Sequence, residues 1–164
     1  GCRRNVDLTV ILFNNNIYGM TGGQSSPTTP PGKSTTTAPY GTIDRALDAC
    51  RIAEAAGATY VARSTAFHVK HLTQMIEGGL QNHGFSLVEA IVQCPTAYGR
   101  KNKMGSPAAM LEWMRDSAVM KTAWDNLPPE KRTPDKFPIG LLCACEGEEY
   151  GIANAEIQRR AGGL

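Results

Sequence analysis

The chain has 164 residues, is 41% hydrophobic and 20% charged, and carries a formal net charge of +2, which is enough for one domain with a real core or for part of a larger one. So mild a charge makes no case for nucleic-acid binding, no apolar run approaches the ~20 residues that span a bilayer, and no secretory leader pattern opens the chain. Five cysteines, an odd number with no Cys-x-x-Cys, fit the reduced thiols of a cytoplasmic protein better than a disulfide framework.

In chain order, Gly1 to Asp7 lead abruptly into Leu8–Phe13, a continuous apolar run that reads as a strand buried on both faces. An N-terminus so close to a central strand is expected of a fragment. Asn14-Asn15-Asn16 end the strand. Gln24 to Gly41 is Ser, Thr, Pro and Gly with little else; its composition reads as a flexible linker, although a loop of that length in a compact domain is more often functional. Thr42 can cap a helix from Ile43 to Gly57, with Ile43, Ala46, Leu47, Cys50 and Ala53 inward. Thr59–Arg63 reads as a short strand. A second helix is expected from about Phe67 to Gly84, with Val69, Leu72, Ile76 and Leu80 inward, and a third strand over Ser86–Gln93.

This β-α-β-α-β order predicts an α/β fold, a mostly parallel sheet with flanking helices. Ser106-Pro107 opens a third helix, striped by Met110, Leu111, Met114 and Ala118. Phe137–Leu142 reads as an edge strand, and Glu148–Arg160 as a polar closing helix.

Ligands of open parallel sheets sit beyond the carboxyl ends of the strands. Two segments meet that condition, Asn14–Gln24 after the first strand and Gln93–Thr96 after the third, and topology places them on one rim. Asn side chains and backbone carbonyls are the neutral oxygens that Mg²⁺ takes together with phosphate oxygens. Thr21 adds a hydroxyl, and Gly19, Gly22 and Gly23 let the backbone approach an anion. The competing reading is a polar turn with Asn in left-handed conformations. Cys94, held extended by Pro95, is either a small buried hydrophobe or an iron ligand, and a cluster needs about four such thiolates. His68, His71 and His83 have no carboxylate spaced to complete a metal set and read as exposed or helix-end histidines. Arg100-Lys101-Asn102-Lys103 reads as a solvated basic turn, with reception of an acidic partner or an anionic substrate as the alternative.

The run Asn14-Asn-Asn-Ile-Tyr-Gly-Met-Thr-Gly-Gly-Gln-Ser-Ser-Pro-Thr-Thr29 strongly resembles the thiamine-diphosphate segment of 2-oxoacid:ferredoxin oxidoreductase β subunits, with the 2-oxoglutarate-using members most similar. Ala38–Gly41, Gly57–Arg63, Gly84–Glu89, Cys94–Thr96, Gly99–Asn102 and Phe137–Gly140 continue the resemblance over nearly the whole chain. It implies the C-terminal part of a thiamine-diphosphate-binding fold over residues 1–105, and over 106–164 a helical extension with an edge strand. By the same resemblance Asn15 matches a side-chain Mg²⁺ ligand and Ile17 a carbonyl ligand. Gly19 and Thr21 match diphosphate positions, Met20 lies near the reacting centre, and Cys94 matches the last of four ligands to a [4Fe–4S] cluster.

The activity so implied is thiamine-dependent oxidative decarboxylation of a 2-oxoacid, with acyl transfer to coenzyme A and electrons passed through the cluster to ferredoxin, against an α subunit of the same enzyme. The family's preceding Gly-Asp-Gly and Cys-x-x-Cys are absent from these residues, so the chain alone is expected to be inactive. A non-catalytic assembly module of the same fold is the second expectation. A dinucleotide-binding domain ranks last, for want of Gly-x-Gly-x-x-Gly opening a helix.

Overall fold

A computed structural model describes residues 1–162. Its centre is a five-stranded sheet in the order β1-β5-β4-β7-β6. The strands are β1 (Leu8–Asn14), β4 (Tyr60–Thr65), β5 (Phe85–Ile91), β6 (Ala118–Met120) and β7 (Phe137–Ala144). A separate two-stranded ribbon pairs β2 (Ile17–Tyr18) with β3 (Gln24–Ser25). β1, β5 and β4 run parallel, β7 runs antiparallel to β4, and β6 is parallel to β7. The expected mostly parallel sheet with flanking helices is therefore present.

β4 and β5 are buried at every position, Arg63 and Glu89 included, because helices cover both faces of the sheet at its centre. Helix α1 (Ala49–Ala55) covers one face of the sheet and α2 (Val69–Gln81) the other. Under α1, Cys50 and Ala53 pack with Val61, Phe85 and Leu87, and with the inner side chains of β1, Val10 and Leu12. Under α2, Leu72, Met75 and Ile76 meet Tyr60, Ala62 and Val88. Gly78-Gly79 lets α2 sit this close: a Cβ on Gly78 would lie 2.5 Å from Tyr60 Oη, and one on Gly79 3.1 Å from Val88 Cγ2. Helices α3 (Pro107–Ser117), α4 (Lys121–Asp125) and α5 (Tyr150–Gly162) complete the fold. Ser106 caps α3 by accepting from Ala109 N at 3.1 Å, as expected, and Met110 and Met114 are its buried stripe.

Several expectations are corrected. β1 is an edge strand, not a strand buried on both faces. Among the described residues it pairs only with β5, and Leu8, Ile11 and Phe13 are exposed, Phe13 at 68%. α1 starts at Ala49 rather than Ile43, because Asp48 wins the cap, accepting from Arg51 N at 3.2 Å. Residues 42–48 instead run along the surface, tied by Leu47 N donating to Pro27 O at 2.8 Å, and Ile43 and Leu47 are exposed. The buried face of α2 is Leu72, Met75, Ile76 and Gly79, one step round from the expected stripe, so Val69 and Leu80 face out. β7 lies inside the sheet rather than at its edge, because the short β6, which sequence reading missed, pairs beyond it.

Candidate functional site

β1 and β5 end together. Asn14 stands opposite Ile91 in register, and Val92 N donates to Asn14 O at 2.9 Å. The two segments that leave these strands, Asn14–Gln24 and Gln93–Thr96, consequently share one rim of the sheet. Asn14 and Asn15 each close an Asx turn: Asn14 Oδ1 accepts from Asn16 N at 3.0 Å, and Asn15 Oδ1 accepts from Ile17 N at 3.2 Å. Asn16 takes the left-handed conformation, φ 60°, which Asn tolerates better than most residues. The chain then enters β2 and returns through Gly23, whose N–H donates to Tyr18 O at 2.8 Å.

Cys94 lies directly against this turn. Its sulfur is buried with Ile17, Tyr98 and Met110, and a Cβ on Gly19 would stand 3.0 Å from Cys94 Sγ. Burial pushes the Tyr98 phenol up to about 12, with the Asn16 side chain opposing. Of the other expected site residues, Asn15 is half-buried, Ile17 buried, and Thr21 and Met20 exposed. The Thr21 hydroxyl donates to Gln24 Oε1 at 2.8 Å.

The Ser/Thr/Pro stretch is not a loose linker. Its hydroxyls do the bonding that a backbone ladder would do elsewhere. Thr28 Oγ1 donates to Asn14 Oδ1 at 2.8 Å and Thr29 Oγ1 to Asn16 O at 2.7 Å, and one backbone bond, Thr36 N to Gly23 O at 2.8 Å, joins them. Asn102 holds the far side: Oδ1 accepts from Ser34 N at 2.9 Å, and Nδ2 donates to Ser34 O at 3.1 Å and Tyr98 O at 3.0 Å. At least part of the expected solvated basic turn is thus a fastening. The two helix-end histidines are also engaged, each Nδ1 at 2.8 Å from a β4 hydroxyl, His68 with Thr65 and His71 with Ser64.

Sequence reading missed a buried charge cluster below the turn. Arg63 and Glu89 are register partners on β4 and β5, 7% and 3% exposed. Arg63 Nε donates to Glu89 Oε2 at 2.6 Å and Nη2 to Asp48 Oδ1 at 2.6 Å. Cys50 Sγ donates to Glu89 Oε2 at 3.3 Å, and Asn14 Nδ2 to Glu89 Oε1 at 2.7 Å. Burial pushes the Cys50 thiol far up, against the pull of Arg63. Burial alone would lower the Arg63 guanidinium, but Glu89, Cys50 and Asp48 outweigh it and hold the guanidinium above its ordinary value. Asp48, Cys50 and Glu89 have ligand atoms within 4.8 Å of one another, yet the guanidinium among them already supplies the cation. The available signal was one charged residue inside each of two apolar strand runs, Tyr-Val-Ala-Arg63 and Ser-Leu-Val-Glu89, of opposite sign.

The rim fits a hard divalent cation with a diphosphate. Asn15 Oδ1 keeps a second lone pair beyond the Ile17 N–H, the backbone carbonyls of the turn are further neutral oxygens, and Asn14–Gln24 contains no acidic residue to repel an anion. Gly19 presents bare backbone beside the Cys94 sulfur, a soft ligand suited to iron.

The family description "Thiamine pyrophosphate enzyme, C-terminal TPP binding domain" matches residues 1–90. The 2-oxoglutarate synthase subunit KorB of Methanocaldococcus jannaschii is 56% identical over 150 residues, 92% of this chain and 55% of that protein. The 2-oxoacid:ferredoxin oxidoreductase subunit beta of Saccharolobus solfataricus is 42% identical over 94 residues, 57% of this chain and 31% of that one. Among solved structures, a 2-oxoglutarate:ferredoxin oxidoreductase from Magnetococcus marinus, with 2-oxoglutarate, coenzyme A and succinyl-CoA bound, superposes with a TM-score of 0.79 at 29% identity, covering 98% of this chain and 55% of that one. The chain spans about half the length of the 2-oxoglutarate synthase subunits it matches.

Proposed function

The chain belongs to the thiamine pyrophosphate enzymes, through their C-terminal TPP-binding domain and its likeness to 2-oxoacid:ferredoxin oxidoreductase β subunits, and from that premise we propose that it is the cofactor-binding portion of a β subunit that converts 2-oxoglutarate to its acyl-CoA and reduces ferredoxin. Thiamine diphosphate supplies the electron sink on which a 2-oxoacid loses CO₂. Asn15, through its side chain, and Ile17, through its carbonyl, would hold Mg²⁺. Gly19 and Thr21 would face the diphosphate, and exposed Met20 would be covered by cofactor or substrate. Cys94 would be one ligand of a [4Fe–4S] cluster. The reading includes an α subunit, coenzyme A and ferredoxin as partners.

The observation that carries this reading is the packing of Cys94 against the turn, with Ile17 and beside the bare backbone of Gly19. A turn with the chemistry for a metal–diphosphate and a sulfur with the chemistry for iron touch each other on one rim, which is where a centre releasing electrons needs its outlet. The test is the assembled enzyme with Cys94→Ser and, separately, Asn15→Ala. Cys94→Ser should abolish ferredoxin reduction while thiamine diphosphate still binds, and Asn15→Ala should weaken thiamine diphosphate binding in the presence of Mg²⁺. Ferredoxin reduction at the wild-type rate in Cys94→Ser overturns the assignment of that sulfur. Faster turnover of pyruvate or branched-chain 2-oxoacids than of 2-oxoglutarate overturns the substrate.

A further inference from the structure

We infer that Glu89 is a positioning residue whose carboxylate, acting through the Asn14 carboxamide, sets the geometry of the turn that presents Asn15; this rests on the proposed Mg²⁺–thiamine diphosphate reading of that turn. The bonds run in one direction. A carboxylate paired to a guanidinium accepts and never donates. Glu89 Oε2 is taken by Arg63 Nε at 2.6 Å and by Cys50 Sγ at 3.3 Å, so Oε1, 2.7 Å from Asn14 Nδ2, obliges Asn14 to present its amino group inward. The Asn14 carbonyl oxygen is thereby turned outward to the loop. There it accepts from Asn16 N at 3.0 Å and from Thr28 Oγ1 at 2.8 Å. Those two bonds hold both arms of the site, the left-handed Asn16 just past Asn15 and the Thr28 strap.

The chemistry explains why a charged pair sits in the middle of two apolar strands. A neutral amide at position 89 could point its oxygen at Arg63 or at Asn14, but not its amino group at either without a donor facing a donor. Only an acceptor on both oxygens fixes the Asn14 amide in one of its two orientations. Partners that orient metal ligands in this way change metal affinity by about 10–100-fold when altered.

The experiment uses the assembled enzyme stripped of thiamine diphosphate and titrated calorimetrically with Mg²⁺ and thiamine diphosphate, beside thermal melts of each variant. Glu89→Gln should weaken binding by about tenfold or more. Adding Asn14→Asp exchanges the carboxylate and the amide: the new amino group then donates to a carboxylate that can still accept from Asn16 N and Thr28 Oγ1. The double variant should recover most of the affinity. Thr28→Val removes the outer bond to Asn14, together with the Thr28–Ser26 hydroxyl bond inside the strap, without touching the charge pair; it should fold if Glu89→Gln does not, and should weaken binding by about threefold.

Wild-type affinity in folded Glu89→Gln, or in Thr28→Val, overturns the inference, as does a folded double variant without recovery. A purely structural role would lower the melting temperature and leave the affinity of the folded enzyme unchanged. Asn15→Ala separates the two levels. If it binds Mg²⁺ and thiamine diphosphate as wild type, the reading of the turn fails. If it loses binding while Glu89→Gln does not, only the role of Glu89 fails.

Discussion

Gly19 faces the Cys94 sulfur across the rim, so near that a methyl group on Gly19 would stand 3.0 Å from it. Gly19 is not in a left-handed conformation, so alanine there strains nothing but this contact. Gly19→Ala should push the sulfur by a few tenths of an ångström and destabilise the fold by about 1–3 kcal/mol. In the assembled enzyme the electron paramagnetic resonance spectrum of the reduced cluster should change. An unchanged spectrum would mean that Cys94 does not bind the iron.

Arg63→Met leaves Glu89 and Asp48 without their cation. Breaking a buried pair on one side costs about 3–5 kcal/mol, and Glu89 is almost fully buried. Urea unfolding should show a loss of that order. Adding Glu89→Leu to remove the stranded carboxylate should return part of it. A loss below ~1 kcal/mol for the single variant would show that the pair is solvated in solution.

Asn102→Ala removes the three bonds that clasp Ser34 and Tyr98. Net hydrogen bonds of this kind contribute about 0.5–1.5 kcal/mol each, enough to free a surface segment without unfolding the core. Amide exchange should accelerate across residues 30–41 and stay slow in β4 and β5. Uniform acceleration would place the effect on global stability instead.

His68 and His71 both sit below the ordinary imidazole value of 6.5, His68 through burial, His71 through burial and then the charge of His68. With folded values depressed, the unfolded chain takes up protons first as pH falls. Stability from these residues is therefore complete above 6.5 and is lost as pH drops below it through the folded values. Imidazole NMR should show both titrating later than a free histidine, and His71→Gln should flatten the acid limb of the stability curve.

The central strands were legible as short stretches rich in Val, Leu, Ile and Ala that follow the helix-ending Gly57 and Gly84; the unbroken apolar run Leu8–Phe13 misleads instead, since it forms the half-exposed edge strand β1. The rim followed from topology, since parallel strands release their loops at one end. α1 was misplaced because Thr42 and Asp48 are both good caps, and Arg63, a neighbour distant in sequence, also engages Asp48. The Thr-rich strap looked like a linker because composition does not say which hydroxyl meets which backbone group. Glu89 was overlooked because a carboxylate inside an apolar strand has meaning only once its partner strand and register are known.

Among the described residues β1 pairs along one side alone, which has a practical consequence. Its outer side offers a ladder of peptide donors and acceptors flanked by bare Ile11 and Phe13, which is a template for cross-β association between copies. Handled by itself, the 164-residue polypeptide should become turbid with rising concentration, and a lysine in place of Ile11 should keep it clear.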